Sequence, residues 1–233
     1  MNQRSLERAR YMLQRNAEDT SRPIDFTLLG RDWTLLDGVF SPIDTPVTEL
    51  FTTWLPFPTT SFLEMGCGAG VTAITAALDG CLAVTAADIS PAAVANTRLN
   101  VERHGVSDQV RVVCSDMFDA LAVDDRYDMI FWNSNFVEAP ADFVNESPLH
   151  HAFFDPAYQA HRAFLRQAPD HLTPGGRLLL GFSDLGNVER LKALCGESGL
   201  EMTCLRTQQR NLEIPVEFQL LELVPQHSRQ VAP

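Results

Sequence analysis

The sequence predicts an α/β protein built on a doubly wound, mostly parallel sheet, and three observations carry that expectation. From Ser61 onward, apolar runs of strand length alternate with segments of helical period, the pattern of parallel strands joined by crossover helices. Phe62-Leu63-Glu64-Met65 runs straight into Gly66-Cys67-Gly68-Ala69-Gly70 and then Val71-Thr72-Ala73-Ile74, which reads as a buried strand, a glycine-dense turn and a helix start. A second acid, Asp88, closes the next apolar run after Leu82, at about the separation of a ribose-binding acid in a βαβ nucleotide site.

Taken in order, residues 3–16 alternate charge with Leu6, Tyr11, Met12 and Leu13 and predict a short amphipathic helix. Phe26 to Leu29, Gly30-Arg31-Asp32 and Trp33 to Leu36 predict a β-hairpin, and a helix is expected from about Thr45 to Trp54. Strands are expected at 61–65, 82–87, 110–114, 127–132 and 176–182, with helices at about 70–79, 91–104, 156–172 and 187–197. Ser90-Pro91 is a strong helix opening, with serine positioned to cap and proline at the first helical position. Extended runs at 200–206 and 216–224 close the sheet, and the last residues read as a loose tail.

Composition narrows the class. In 233 residues, 45% are apolar and 21% charged, ordinary values for a globular chain with a sizeable core. The net charge of −12, with 18 scattered basic residues, argues against long nucleic acid strands and acidic membranes as partners. Five cysteines, an odd number with no CxxC pair, read as reduced buried thiols, and Cys67 as a small residue that fits the turn. The histidines form no ligand set: His150 and His151 are adjacent and point apart in regular structure. No apolar leader or membrane-length run occurs, so a cytoplasmic location and no metal are expected.

The spacing Glu64-x-Gly66-x-Gly68-x-Gly70 differs from the dinucleotide pattern and resembles motif I of the class I S-adenosylmethionine (SAM) methyltransferases. Asp88-Ile89-Ser90 resembles that family's ribose acid with an apolar neighbour under the adenine. Ser115-Asp116-Met117-Phe118 resembles its adenine-amino acid after the third strand. The resemblance implies a Rossmann-like class I methyltransferase fold with a C-terminal antiparallel strand and a small N-terminal helix-and-hairpin cap. It divides the chain into a cap at 1–57, a SAM-binding catalytic domain at 58–225 and a tail at 226–233. Its implied cofactor residues are Glu64, Gly66, Cys67, Gly68, Asp88, Ile89, Asp116, Met117 and Asn133. Read without the resemblance, Asp88 is equally a turn and helix-cap acid, and Asp116 a solvated loop acid.

Val39 to Pro46 resembles the Pro-rich entry segment of the release-factor glutamine methyltransferases. Those enzymes and their nitrogen-methylating relatives carry Asn/Asp-Pro-Pro-Tyr/Phe after the fourth strand, whereas this chain has Asn133-Ser134-Asn135-Phe136, with both prolines gone. The expected catalytic residues are Asn133, Phe136 and Tyr158, with His161 either a general base or a solvated helix histidine. Residues 138–155 are expected to be an acceptor-selecting lid, with Asp155, Tyr158 and His161 at its base. Trp33, Phe40, Phe131 and Trp132 are further aromatic candidates, since rings attract a sulfonium by about 0.5–2 kcal/mol. The expected function is alkylation of a nitrogen on a small molecule or short peptide. The alternatives are cyclisation of SAM to azetidine-2-carboxylate, for which Tyr11 and Trp33 also supply aromatic walls, and SAM binding without catalysis. The expected partners are accordingly a small-molecule substrate or SAM alone, with no nucleic acid and no membrane.

Overall fold

The structure, a computed structural model, describes residues 3–18, 21–212 and 214–226, so most of the expected tail lies outside the described residues. Helix α1 spans Gln3–Glu18, and the hairpin pairs β1 (Ile24–Leu28) with β2 (Arg31–Leu35) through a turn in which Leu29 and Gly30 are both left-handed. Helix α2 (Val47–Trp54) leads into β3 (Ser61–Met65), α3 (Val71–Leu78), β4 (Ala83–Asp88), α4 (Pro91–Arg103), β5 (Val110–Cys114) and β6 (Tyr127–Asn133). The chain then forms β7 (Val137–Ala139), a 3-10 turn at Pro148–Ala152, β8 (Phe154–Pro156) and α5 (Gln159–Gln167). It ends with β9 (Leu172–Ser183), α6 (Val188–Glu197), β10 (Leu200–Leu212) and β11 (Ile214–Pro225).

The main sheet has seven strands in the order β10-β11-β9-β6-β3-β4-β5. Its five strands from β9 to β5 are parallel, and β11 and β10 join antiparallel. This is the Rossmann-like class I methyltransferase arrangement that the resemblance implied. The chain works outward from β3 through β4 to β5, then returns to place β6 on the other side of β3. That reversal opens a crevice beyond the carboxyl ends of β3 and β6, where such sheets take ligands. Central strands are buried on both faces: Phe62 and Phe131 belong to one apolar cluster, Leu63, Ile130 and Trp132 to the other.

Local backbone chemistry corrects two boundaries. The periodicity predicts one helix over 156–172, but Ala157 and Tyr158 are left-handed (φ 50° and 54°), so α5 starts only at Gln159. Asp155 takes over as its cap, accepting from the N–H groups of Ala160 (3.0 Å) and His161 (2.9 Å). The final strands run longer than their apolar cores, because β10 and β11 continue pairing as a two-stranded hairpin beyond β9. Among the described residues, no helix is long and apolar enough to cross a membrane.

The N-terminal hairpin is fixed to α4 by two fully buried asparagines one helical turn apart. Asn96 Oδ1 accepts from Leu36 N–H (2.7 Å) and Asn100 Oδ1 from Thr34 N–H (2.9 Å), while both amides donate to the Thr34 carbonyl. Asn100 also donates to the Ala69 carbonyl in the glycine turn (2.8 Å). One side chain thus joins hairpin, helix and ligand loop. Asn100→Ala leaves the Thr34 N–H and the Ala69 carbonyl buried without this partner, and should lower the unfolding free energy by about 2–4 kcal/mol. Urea denaturation checks this, and a loss under about 0.5 kcal/mol would mean that other groups replace it.

Candidate active site

The crevice at the switch point is a cavity of about 240 Å³. Nearly all the expected cofactor and catalytic residues line it: Glu64, Gly66, Cys67 and Gly68 from the turn, Asp88 and Ile89 after β4, and Asp116 and Met117 after β5. Asn133 and Phe136 line it from the end of β6. The turn that brings backbone to the cavity needs glycine. Gly66, Gly68 and Gly70 are all left-handed, and a Cβ at Gly70 would lie 2.9 Å from Thr97 Cγ2.

Asp88 is the hub of the nucleotide end. Its Oδ2 accepts from Gly68 N–H and its Oδ1 from Ser90 N–H, both at 2.9 Å. Burial raises its pKa, offset in part by those two N–H groups and by the nearby His151 when charged. Each carboxylate oxygen retains capacity for a further donor, which is what a pair of ribose hydroxyls requires. Ile89 stays 37% exposed beside it, an apolar side chain presented to the cavity and suited to a planar base. Asp116 is exposed, and Ser115 Oγ shapes its loop by donating to the Met117 carbonyl. These residues fit an adenosyl group.

Glu64 is buried under the turn, with Oε2 accepting from Ala73 N–H at 2.8 Å. Burial pushes its carboxyl up to about 8, against the opposing pull of Thr72 and Ala73. The Cys67 thiol is raised by burial and by the charges of Asp88 and Glu64, so it is no thiolate nucleophile.

At the end of β6, Asn133 is half-buried, and no hydrogen bond among the described residues occupies its side-chain amide. Tyr158 is not brought into the cavity. It is fully buried behind it, its hydroxyl donating to the Phe136 carbonyl (2.6 Å) and accepting from Asn187 N–H (2.8 Å), so it braces the acceptor turn from below. His161 is neither exposed nor in the cavity. Its Nδ1 meets Asp155 Oδ2 at 2.6 Å, both residues 1% exposed, and its ring packs on Trp132. Trp33 also lies elsewhere, buried in the core with its ring 4.3 Å from His104 and its N–H donating to Leu28. Tyr11 is half-exposed and lies outside the lining; Phe131 belongs wholly to the core.

The roof combines Phe40, one of the expected aromatic candidates, and residues of the 138–155 segment expected as a lid with two residues of α1 that were read only as its apolar face. Ala9 and Met12 of α1 pack on Leu149 and Phe153 from the 138–155 segment, and all four reach the cavity with Phe40. His151 reaches it from the same segment. For α1 the only local signal was the spacing of its apolar residues, which says that the helix buries one face but not against what.

Residues 33–199 match the family model described as "Methyltransferase small domain". The release factor glutamine methyltransferase of Cereibacter sphaeroides is 37% identical over 144 residues, covering 58% of this chain and 51% of that protein. The ribosomal RNA small subunit methyltransferase C of Vibrio parahaemolyticus is 29% identical over 147 residues, 62% of this chain and 38% of that one. The chain therefore spans about half or less of the length of these relatives. The T. thermophilus 16S rRNA N2 G1207 methyltransferase, solved with AdoMet and guanosine, superimposes with a TM-score of 0.61. It is 20% identical, over 88% of this chain and 50% of that one.

These relatives correct the partner expectation of a small molecule or SAM alone with nucleic acid excluded, because they are named for a protein and an RNA acceptor. The exclusion rested on net charge, which sums the whole chain. Acids that line the cavity, Glu64, Asp88 and Asp116, count in that sum but say nothing of the outer surface that meets a macromolecule.

Glu64 makes stability pH-dependent. Its folded pKa of about 8 lies above the ordinary 4.5, so the folded state holds this proton more tightly than the unfolded one. That contribution is fully present below 4.5, declines as pH rises and levels off above about 8. Glu64→Gln should flatten that decline, which is on the order of a few kcal/mol. Thermal unfolding of both proteins across the window measures it, and identical pH profiles would show that Glu64 titrates normally.

Proposed function

The chain belongs to the methyltransferase small-domain family and has the class I SAM-dependent methyltransferase fold, and from this premise we propose that it methylates a nitrogen of a macromolecule, with a protein side-chain amide as the favoured acceptor. The observation that supports it best is the continuity of one cavity from the Asp88 end to the Asn133–Phe136 turn. The protein acceptor is favoured by the 37% identity to a release factor glutamine methyltransferase.

SAM supplies an activated methyl group when bound, so the work left to the protein is alignment and exclusion of water. Asp88 and the glycine-turn backbone hold the adenosyl end. The Asn133 carboxamide oxygen would accept one N–H of the acceptor and turn the nitrogen lone pair toward the cofactor's methyl group; transfer would break the sulfur–methyl bond as the N–C bond forms, leave S-adenosylhomocysteine, and release the N–H proton to water when the cavity reopens. Phe136 walls the transfer point, and Met12, Leu149 and Phe153 keep water from it.

A second reading, an rRNA base nitrogen, has the support of the 29% identical rRNA methyltransferase. Incubation with methyl-labelled SAM and, separately, release factor, ribosomal proteins, 16S rRNA and no acceptor decides between them. Label in protein supports the proposal, and label in rRNA replaces it with the second reading. Methylthioadenosine formed from the cofactor alone, without transfer, overturns both. Asn133→Ala should lower turnover on the order of a hundredfold, the scale of a misplaced reacting group. Its affinity for S-adenosylhomocysteine should stay close to that of the unaltered protein; parallel loss of both would make Asn133 a cofactor residue instead. Asp88→Ala should weaken S-adenosylhomocysteine by about tenfold to a hundredfold in calorimetry.

A further inference from the structure

The two residues standing where the related pattern has prolines make bonds that proline cannot. Ser134 donates to the Gly181 carbonyl on β9 with both its N–H (3.2 Å) and its hydroxyl (2.9 Å). Asn135 spends both amide hydrogens across the loop, on the carbonyls of His151 and Phe154, each at 2.9 Å. Directly after it, β7 pairs in parallel with β8 from Val137↔Phe154 to Ala139↔Pro156. Residues 133–139 are thereby sewn to 151–156.

The geometry fixes the Asn135 amide in one orientation, because both of its donors face carbonyl oxygens and rotating it by half a turn would set oxygen against oxygen. Its Oδ1 is buried with no hydrogen-bond partner among the described residues. The residue's value lies in its two donors, because an apolar side chain would leave the His151 and Phe154 carbonyls without them. What they hold is the segment that carries Leu149, His151 and Phe153 to the cavity, across from Asp88.

We infer that Asn135 is a positioning residue that latches the acceptor turn to the 148–156 lid, so that Asn133 and Phe136 are set for transfer only while the lid is closed over the cofactor. Ser134 anchors the same turn to the sheet from the other side. A rigid Pro-Pro turn holds its shape whatever the lid does. The Ser134-Asn135 turn makes its shape depend on lid closure, and the cofactor then orders the acceptor end before the acceptor arrives. The inference rests on the reading of the cavity as cofactor and acceptor site.

Hydrogen–deuterium exchange of the full chain tests it, with and without S-adenosylhomocysteine and with calorimetry of the same ligand alongside. In the unaltered protein, the ligand should slow exchange in both 133–139 and 148–156. In Asn135→Ala, lid exchange should be about tenfold to a hundredfold faster, from the loss of two hydrogen bonds. The ligand should then still slow the glycine turn but no longer slow 133–139. Asn135→Leu keeps about the side-chain volume while removing both donors and adding no charge, and should give the same uncoupling if the alanine variant is poorly folded. Binding intact, with 133–139 responding to ligand equally in unaltered and variant proteins, overturns the latch alone. No binding heat in the unaltered protein overturns the site reading and the latch together.

Discussion

The ligand end of this protein depends on one turn that the chain alone would not hold. Between β3 and α3 the backbone visits the left-handed region three times, at Gly66, Gly68 and Gly70, a conformation that glycine permits but does not enforce. Enforcement comes from elsewhere. Asp88 accepts the Gly68 N–H, Thr97 donates to the Gly68 carbonyl and Asn100 donates to the Ala69 carbonyl. A helix and a strand that are remote in sequence thus satisfy a loop that makes one bond of its own, from Gly70 N–H to the Cys67 carbonyl at 2.8 Å, while the Cys67 N–H is taken by the Ala87 carbonyl of β4.

The same bonds tie the N-terminal hairpin to the glycine turn although none of its residues lines the cavity. Asn96 and Asn100 treat β2 as a partner strand would, meeting its N–H and C=O groups with carboxamides. Buried carboxamides are tolerable only when their hydrogen bonds are made. Seating the hairpin and seating the glycine turn are therefore one event, shared through Asn100.

At the acceptor end the logic changes from burial to tethering. Tyr158 holds the Phe136 carbonyl from behind, Ser134 holds Gly181, and Asn135 reaches forward to the His151 and Phe154 carbonyls. The Asp155–His161 pair closes the base, with the carboxylate also capping α5. A turn without proline stiffness is held by hydrogen bonds on three sides, and each bond links it to a different element. Its geometry is collective.

What the sequence determined by itself was everything encoded within about thirty consecutive residues. The order of the main-sheet strands and their helices, the glycine turn, Asp88 at the end of β4 and the Asn133–Phe136 stretch were legible, because side-chain period and turn chemistry are local properties, whereas the short β7–β8 pair was not. The resemblance then implied the fold family that the sheet order bears out. Tertiary structure decided which side chains face the cavity. Trp33, Tyr158 and His161 carry site-like chemistry yet are buried elsewhere, while Ala9 and Met12, read only as one apolar face of a helix, join Leu149 and Phe153 of the expected lid segment in the roof. Net charge misled about partners for the same reason, since a sum over the chain holds no positions. A side chain's chemistry is written in its own residue, but its direction is set by contacts between segments far apart in sequence, and those form only when the whole sheet closes.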